Sequence, residues 1–242
     1  METPPVLKAL IERGPNKEER CGYFFKGQPT TVNNVVELPN VADKPNLHFE
    51  FSLEDTMTML ELELEDIVLW HSHLGEDENT LSYYDVLSAD STGLPMFMVN
   101  VATGITDFYD PTIEVPYLGR EYVFSYQNCY SLVEDFYLKE FSIELPKIYL
   151  KYPNEYRSKD WNPYTTELPK YFKEIKLSAA KRGDLILMKI GKTFNPNHIG
   201  IVSDPVKNTF LHHLTDRISS EDILNQPYRN RIVSVHRHLS ND

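Results

Sequence analysis

Only two of the 242 residues are cysteine, Cys21 and Cys129, and they lie far apart in the chain. That pair excludes the disulfide framework of a small secreted scaffold, and both are read as free thiols. No apolar run approaches the roughly 18 residues that a membrane-spanning helix needs, so stable membrane insertion is not expected. Met1-Glu2-Thr3-Pro4-Pro5 lacks the basic and apolar regions of a secretory signal, which makes a cytoplasm the expected place of synthesis and folding. Positive charge is scarce as well: the formal net charge is −12. A nucleic-acid partner calls for a basic stripe and is therefore not expected. There is no internal repeat and no low-complexity tract.

The shortage of basic residues is confined to one half. Residues 1–115 carry 6 Lys+Arg against 21 Asp+Glu (net −15), while residues 116–242 carry 18 against 15 (net +3). Not one Lys or Arg occurs between Lys44 and Arg120. A shift of this kind predicts a domain boundary. Asp110-Pro111-Thr112-Ile113-Glu114-Val115-Pro116, with two prolines and little periodicity, is the place for it. The expected organisation is a domain over 1–110, a linker over 111–116 and a domain over 117–242. A content of 41% hydrophobic and 25% charged residues is enough to give each half a core.

Thr3 before Pro4 and Pro5 marks a helix start, because a proline in the first turn forgoes no hydrogen bond. Val6, Leu7, Leu10 and Ile11 follow at helical spacing until Gly14-Pro15 stops the run. Strands are expected at 21–25, 31–36 and 48–51, and Ser52 is expected to cap an acidic helix reaching about Glu65. Ile67-Val68-Leu69-Trp70 reads as a short apolar strand delivering His71, and Ser82 as the cap of a helix carrying Asp85. Strands at 95–99 and 104–109 finish this half. In the second half a helical pattern runs from Cys129 to Leu138, with strands at 184–188, 198–202, 209–212 and 231–235. Residues 142–176, rich in Tyr, Lys and Pro, are expected to shape one wall of a groove beside Cys129. The fold class is α+β in two domains.

His71 and His73 stand two residues apart at a strand end, so period-two alternation points both imidazoles the same way. A catalytic zinc takes three protein ligands and leaves a position for water, and Asp85 on the following helix suits the third place. Zinc lowers the pKa of its water from about 15.7 toward about 7, and a carboxylate must still move the proton. By itself a His-x-His pair is more often ordinary surface or core chemistry.

Cys129 stands where its helix should begin, and helix N-termini favour anions. Such a location can bring a thiol from about 8.5 into the range of about 3.5–7.5. A nearby histidine then completes an ion pair and a third polar group orients it. His198 opens one strand and His212 ends the next, so neighbouring strands would set them side by side. Alternation turns His213 to the other face. Gly183-Asp184 reads as a turn into a strand, and His236 and His238, flanking Arg237, as surface or strand-edge residues.

Glu19-Arg20-Cys21-Gly22, then His71-Ser72-His73, then Ser82-Tyr83-Tyr84-Asp85 resembles the JAMM (JAB/MPN) metalloprotease motif over roughly residues 1–110. The resemblance implies a JAB/MPN-like (cytidine-deaminase-like) mixed sheet with flanking helices. It also implies Glu19 as general base, His71, His73 and Asp85 as zinc ligands, and Ser82 as an oxyanion stabiliser. Cys21 is then a packed strand residue. Leu74 stands where the family usually has Pro, and the interval from His73 to Ser82 is one residue longer than the common form.

The second half resembles the NlpC-type cysteine peptidases, papain-like enzymes that cleave amide bonds in peptidoglycan stem peptides. The matching blocks are Asn128-Cys129-Tyr130-Ser131-Leu132-Val133, Gly183-Asp184, His198-Ile199-Gly200-Ile201 and Phe210-Leu211-His212. That resemblance implies Cys129 as nucleophile, His198 as base, His212 as the orienting residue and Tyr117 at the oxyanion site. Asn128 replaces the usual Asp.

A JAMM-like half followed by an NlpC-type half resembles the K-type tail assembly proteins of long-tailed bacteriophages. The implied partners are other phage tail tip proteins and a peptidoglycan peptide, with the protein in the host cytoplasm during assembly and then at the virion tail tip. Three readings stay open: a working hydrolase, a structural tail component whose acidic stretch 45–119 docks a basic partner, and a JAMM enzyme acting on ubiquitin-like modifiers.

Overall fold

Two β-sheets organise the chain, one in each of two compact units, Met1–Glu114 and Val115–Asp242. The computed structural model describes residues 17–27, 35–62, 67–148 and 162–241. The architecture is α+β, with few helices beside the sheets. No described helix is long and apolar enough to cross a membrane. The division falls inside the expected linker 111–116. Val115 and Pro116 already belong to the second unit, where their carbonyls accept hydrogen bonds from the Arg120 guanidinium.

In the first unit, β1 (Cys21–Phe25), β2 (Val35–Leu38), β3 (Ile67–His73), β4 (Met96–Asn100) and β5 (Thr106–Tyr109) form a sheet in the order β2-β1-β3-β4-β5. All neighbours are antiparallel except β3 and β4. Every residue of β3 is buried, as befits a central strand. Val68 and Trp70 pack with Phe24, Phe97 and Val99 on one face, which leaves His71 and His73 on the other. Gly22 lets the strands close up here: a Cβ at that position would lie 2.0 Å from the Val36 carbonyl oxygen. That same carbonyl accepts from the Trp70 indole at 3.2 Å.

The crossover from β3 to β4 carries helix α2 (Tyr83–Thr92), preceded in the chain by α1 (Leu53–Leu60). Ser52 caps α1 as expected, but the helix ends at Leu60. The segment His48–Phe51 is not a strand, contrary to its sequence pattern. The Asn40 side chain intercepts its backbone, donating to the His48 carbonyl and accepting from the Glu50 amide, which leaves no regular ladder to form. The helix expected at Thr3–Ile11 and residues 31–34 of an expected strand lie outside the described residues.

Among the described residues, the second unit has an antiparallel sheet of six strands: β6 (Phe172–Ile175), β7 (Leu185–Met188), β8 (His198–Asp204), β9 (Thr209–His212), β10 (Ser220–Ile223) and β11 (Ile232–His238). Their order is β10-β9-β8-β7-β11-β6. Helix α3 (Cys129–Phe141) buries Leu132, Val133, Phe136 and Tyr137 against Leu185, Leu187, Ile199 and Ile201. The alternate residues Ile186, Met188, Val202 and Phe210 build a second core on the opposite face. The described residues of the unit also form two short α-helices, α4 (Pro163–Thr166) and α5 (Gln226–Arg229).

β6 and β10 have no counterpart in the sequence expectations. Both are edge strands with half their residues exposed or part-exposed and charged, so the apolar alternation that marks an interior strand is missing. His236 and His238 are corrected from surface residues to buried ones, because β11 lies between β7 and β6. Between them Arg237 makes a two-pronged ion pair with Asp184, at 2.9 and 2.7 Å. Gly183 is the turn residue expected there, with φ +92°, and the Tyr137 hydroxyl donates to its carbonyl.

Candidate active sites

The first constellation is assembled from two elements of the first unit. β3 delivers His71 and His73 onto one face, and the first turn of α2 delivers Asp85. The three ligand atoms lie within 4.8 Å of one another. His71 Nε2 is 3.0 Å from His73 Nε2, and Asp85 Oδ2 is 3.4 and 3.5 Å from the two nitrogens. His73 Nδ1 donates to the Glu78 carbonyl at 3.0 Å, since a carbonyl only accepts. In the neutral ring this turns the Nε2 lone pair toward Asp85. Lone pairs of buried imidazole and carboxylate converging on one point repel unless a proton or cation lies between them. The donor set of two imidazoles and one carboxylate suits zinc.

Supporting contacts hold these groups in place. Phe49 stacks on His71, with ring centroids 4.5 Å apart. Ser82 and Asp85 form a reciprocal capping box: the Ser82 side chain accepts from the Asp85 amide, and Asp85 Oδ2 accepts from the Ser82 amide at 2.7 Å. Ser82 therefore aims Asp85 through the helix cap. The longer loop before Ser82 is absorbed by a turn in which the Glu78 amide donates to the Gly75 carbonyl. Asn100, a residue the sequence motifs do not mark, ties that loop down through the Gly75 and Glu78 carbonyls.

Electrostatics follow burial and pairing. Burial pushes His71 down despite Asp85, whereas at His73 the Asp85, Glu19 and Glu78 contributions outweigh burial and raise it. Burial would raise Asp85, but His71, His73 and Ser82 hold it well below the usual carboxylate range. Glu19 is buried just before β1, and burial pushes its carboxyl up to about 8, with Asp85 and Glu78 adding and His73 opposing. A carboxyl so placed exchanges a proton near neutrality. Cys21 is a packed strand residue with no exposure.

The second constellation centres on the start of α3. Asn128 is the N-cap: its Oδ1 accepts from the Tyr130 and Ser131 amides, and its Nδ2 donates to the Phe124 carbonyl. Replacement of Asp by Asn thus keeps the cap acceptor and adds a donor that Asp lacks. Cys129 is the first helical residue, 5% exposed. Its thiol meets the Ile199 backbone amide at the leading end of β8, one residue from His198.

His198 and His212 sit on adjacent strands and are joined directly, Nε2 to Nδ1 at 3.1 Å. The side-chain partner of the Cys129 thiol is Tyr164, whose hydroxyl lies 3.4 Å from Sγ; His198 is not hydrogen-bonded to the thiol. Burial pushes the Cys129 thiol up, outweighing Tyr164 and the amides of Ile199, Cys129 and Tyr130 that favour the thiolate. The lowered thiol expected from the helix terminus is corrected accordingly. Burial, with His212 and His213 adding, drives His198 down to about 3. The resting groups are therefore a neutral thiol and a neutral imidazole.

Tyr117 is not at this site. Its hydroxyl donates to Glu140 and its ring packs on Phe136, toward the far end of α3. Glu140 stands eleven positions beyond Cys129, a backbone rise of about 16.5 Å at 1.5 Å per residue. Tyr164 contacts the thiol, and Tyr122 is set edge-on to His213 and feels the charge of a Cys129 thiolate. Neither belongs to a motif, and Tyr164 comes from the stretch 142–176 expected to wall the groove, of which 149–161 lie outside the described residues. His213 bonds the Arg217 carbonyl and takes no part in the histidine pair. Asp222 does: its Oδ2 is 3.1 Å from His212 Nε2.

Residues 119–237 match the NlpC/P60 family. That span contains Cys129, His198 and His212, and it lies wholly within the second unit. The chain is also 27% identical over 228 residues to tail tip assembly protein K of Escherichia phage N15, covering 91% of this chain and 88% of that one. An alignment of that length reaches well into the first unit as well as through the NlpC/P60 segment. Among solved structures, a Staphylococcus aureus protein described as similar to lipoprotein, NLP/P60 family, is 17% identical with a TM-score of 0.36. That match covers 68% of this chain but only 42% of the other, so the chain spans less than half of that protein's length.

Proposed function

We propose that the protein is a phage tail tip assembly component with two amide-hydrolase sites, the NlpC/P60 segment cleaving stem peptides of peptidoglycan. The observation that carries this reading is the coincidence of the family match with a cysteine at the first turn of a helix and a hydrogen-bonded histidine pair on two adjacent strands. The tail tip relative supports the setting. Assembly in the host cytoplasm, retention at the virion tail tip and contact with other tail tip proteins belong to the same proposal.

In the cysteine site, His198 takes the Cys129 proton as Sγ attacks the scissile carbonyl carbon, forming a C–S bond and a tetrahedral oxyanion. Collapse breaks the C–N bond, and the imidazolium returns its proton to the leaving amine. Water, deprotonated by the same imidazole, then cleaves the thioester and regenerates the thiol. Because both groups rest neutral, the proton moves only once substrate is in place. His212 holds the ring of His198 throughout.

At the other site, His71, His73 and Asp85 are the residues that would hold zinc in a JAMM-type arrangement. When bound there, the ion would supply Lewis-acid chemistry and ease the ionisation of water near neutral pH. Glu19 accepts and returns a proton on its buried carboxyl. Ser82 orients Asp85 through the cap.

Digestion of purified peptidoglycan by wild type and by Cys129→Ala tests the proposal: muropeptide products that vanish in the variant support it. A second reading, a structural component with an idle cysteine site, is favoured by the thiol resting against Tyr164. Its signature is no product from either protein, with virion assembly lost on deletion but unaffected by Cys129→Ala.

A further inference from the structure

Beyond His212 the hydrogen-bond chain does not end. Asp222 on β10 places Oδ2 3.1 Å from His212 Nε2, and the same oxygen accepts from the Tyr228 hydroxyl at 2.6 Å. Phe210 stacks on the His212 ring at 4.4 Å and Tyr228 meets it edge-on at 5.3 Å, so the imidazole is clamped in one plane. We propose that Asp222 is a positioning residue that sets which nitrogen of His198 carries the proton. The inference rests on the cysteine-hydrolase reading only for the use made of that nitrogen.

The argument is a matter of donors and acceptors. An ionised carboxylate can only accept, so His212 Nε2 must carry hydrogen. The neutral His212 ring then presents a bare Nδ1, which accepts from His198 Nε2. With its hydrogen on Nε2, neutral His198 keeps its lone pair on Nδ1, the nitrogen left to act as base. Each link forces the next, and reversing the first reverses all of them. Tyr228 and His212 hold Asp222 below its ordinary range although burial works the other way, and His198 and His212 are both shifted down, mainly by burial. The required protonation states are therefore the resting ones.

Ser220 supplies the alternative. Its hydroxyl is 3.4 Å from His212 Nε2 and, unlike the carboxylate, can donate. Remove the carboxylate and Ser220 can turn His212 over to the Nδ1–H form. His198 would then accept on Nε2 and carry hydrogen on Nδ1, where it is useless as a base.

Long-range proton–nitrogen NMR on histidine-labelled protein reads the tautomers directly. Wild type should show His198 and His212 as Nε2–H. Asp222→Ala should move both toward Nδ1–H, while Asp222→Asn, which keeps a carbonyl acceptor, should hold them as in wild type. On peptidoglycan, Asp222→Ala should lower kcat by roughly 10–100-fold with KM little changed, as for loss of an orienting partner, and Asp222→Asn should recover most of it. His198 found as Nδ1–H in wild type, or unchanged tautomers in a folded Asp222→Ala protein, would overturn the inference. Tautomers that switch as described in a protein that cleaves nothing would support it and sink the hydrolase reading instead.

Discussion

The Cys129 thiol and the Tyr164 hydroxyl lie 3.4 Å apart, and this contact, together with burial, sets the resting state of the cysteine site. Tyr164 is fully buried and enters from α4, whose Asn162 cap also donates to the Pro196 carbonyl. Cys129 is thus held by a residue remote in sequence from every motif block.

Because the thiol is raised, the thiolate population grows only as pH climbs. Alkylation of Cys129 by iodoacetamide should therefore accelerate through pH 8 and 9 without a plateau near neutrality. A rate already flat below pH 7 would show a preformed ion pair and contradict the structure.

Tyr164→Phe removes a hydrogen bond that favours the thiolate. A bond to a charged group is worth about 1.5–3 kcal/mol, which is roughly 10–100-fold in the thiolate population, so the titration should move up further. At fixed pH alkylation should slow by a factor in the same range. An unchanged or faster rate would mean that the hydroxyl only blocks access.

Metal analysis after dialysis should find zinc in wild type and none in His71→Ala/His73→Ala. Ser82→Ala loses the N-cap that aims Asp85. It should lose about 1 kcal/mol of stability and bind zinc roughly 10–100-fold more weakly. Glu19→Gln should keep its zinc, since Glu19 is a proton carrier in this reading and not a ligand.

Tyr117→Phe should leave peptidoglycan cleavage within about twofold of wild type, because its hydroxyl is engaged with Glu140, eleven positions along α3 from Cys129. A loss comparable to that of Cys129→Ala would return Tyr117 to the oxyanion site.

Asp184→Ala strands the Arg237 guanidinium in a buried position, where Asp184 supplies two of its hydrogen bonds. Breaking one side of a buried pair costs about 3–5 kcal/mol, so urea unfolding should shift to a clearly lower midpoint. Little change would mean that water reaches the pair.

Legibility tracked chain distance and burial. His71 and His73 share a face because they are two apart on a strand, and Asp85 follows Ser82 within one capped turn, so that constellation was readable as local periodicity. The pairing of His198 with His212 required only that consecutive strands be neighbours. Tyr117 failed because a motif spacing says nothing of which end of a helix a preceding loop approaches. Arg120, in the same loop, ties to the Pro116 carbonyl and to Asp135, midway along α3, and carries Tyr117 with it. Edge strands β6 and β10 were missed because solvent on one side erases the apolar alternation.

The order of residues alone determined where helices cap, which imidazoles share a strand face and which half of the chain carries the acidic excess, since each depends on neighbours within a few positions. Tertiary structure decided the rest. It buried Cys129 deeply enough that desolvation outweighs the helix terminus, brought Tyr164 to the thiol across 35 positions, and set Asp222 behind His212. Desolvation and long-range contact are properties of the packed volume around a group, and no short stretch of sequence encodes that volume.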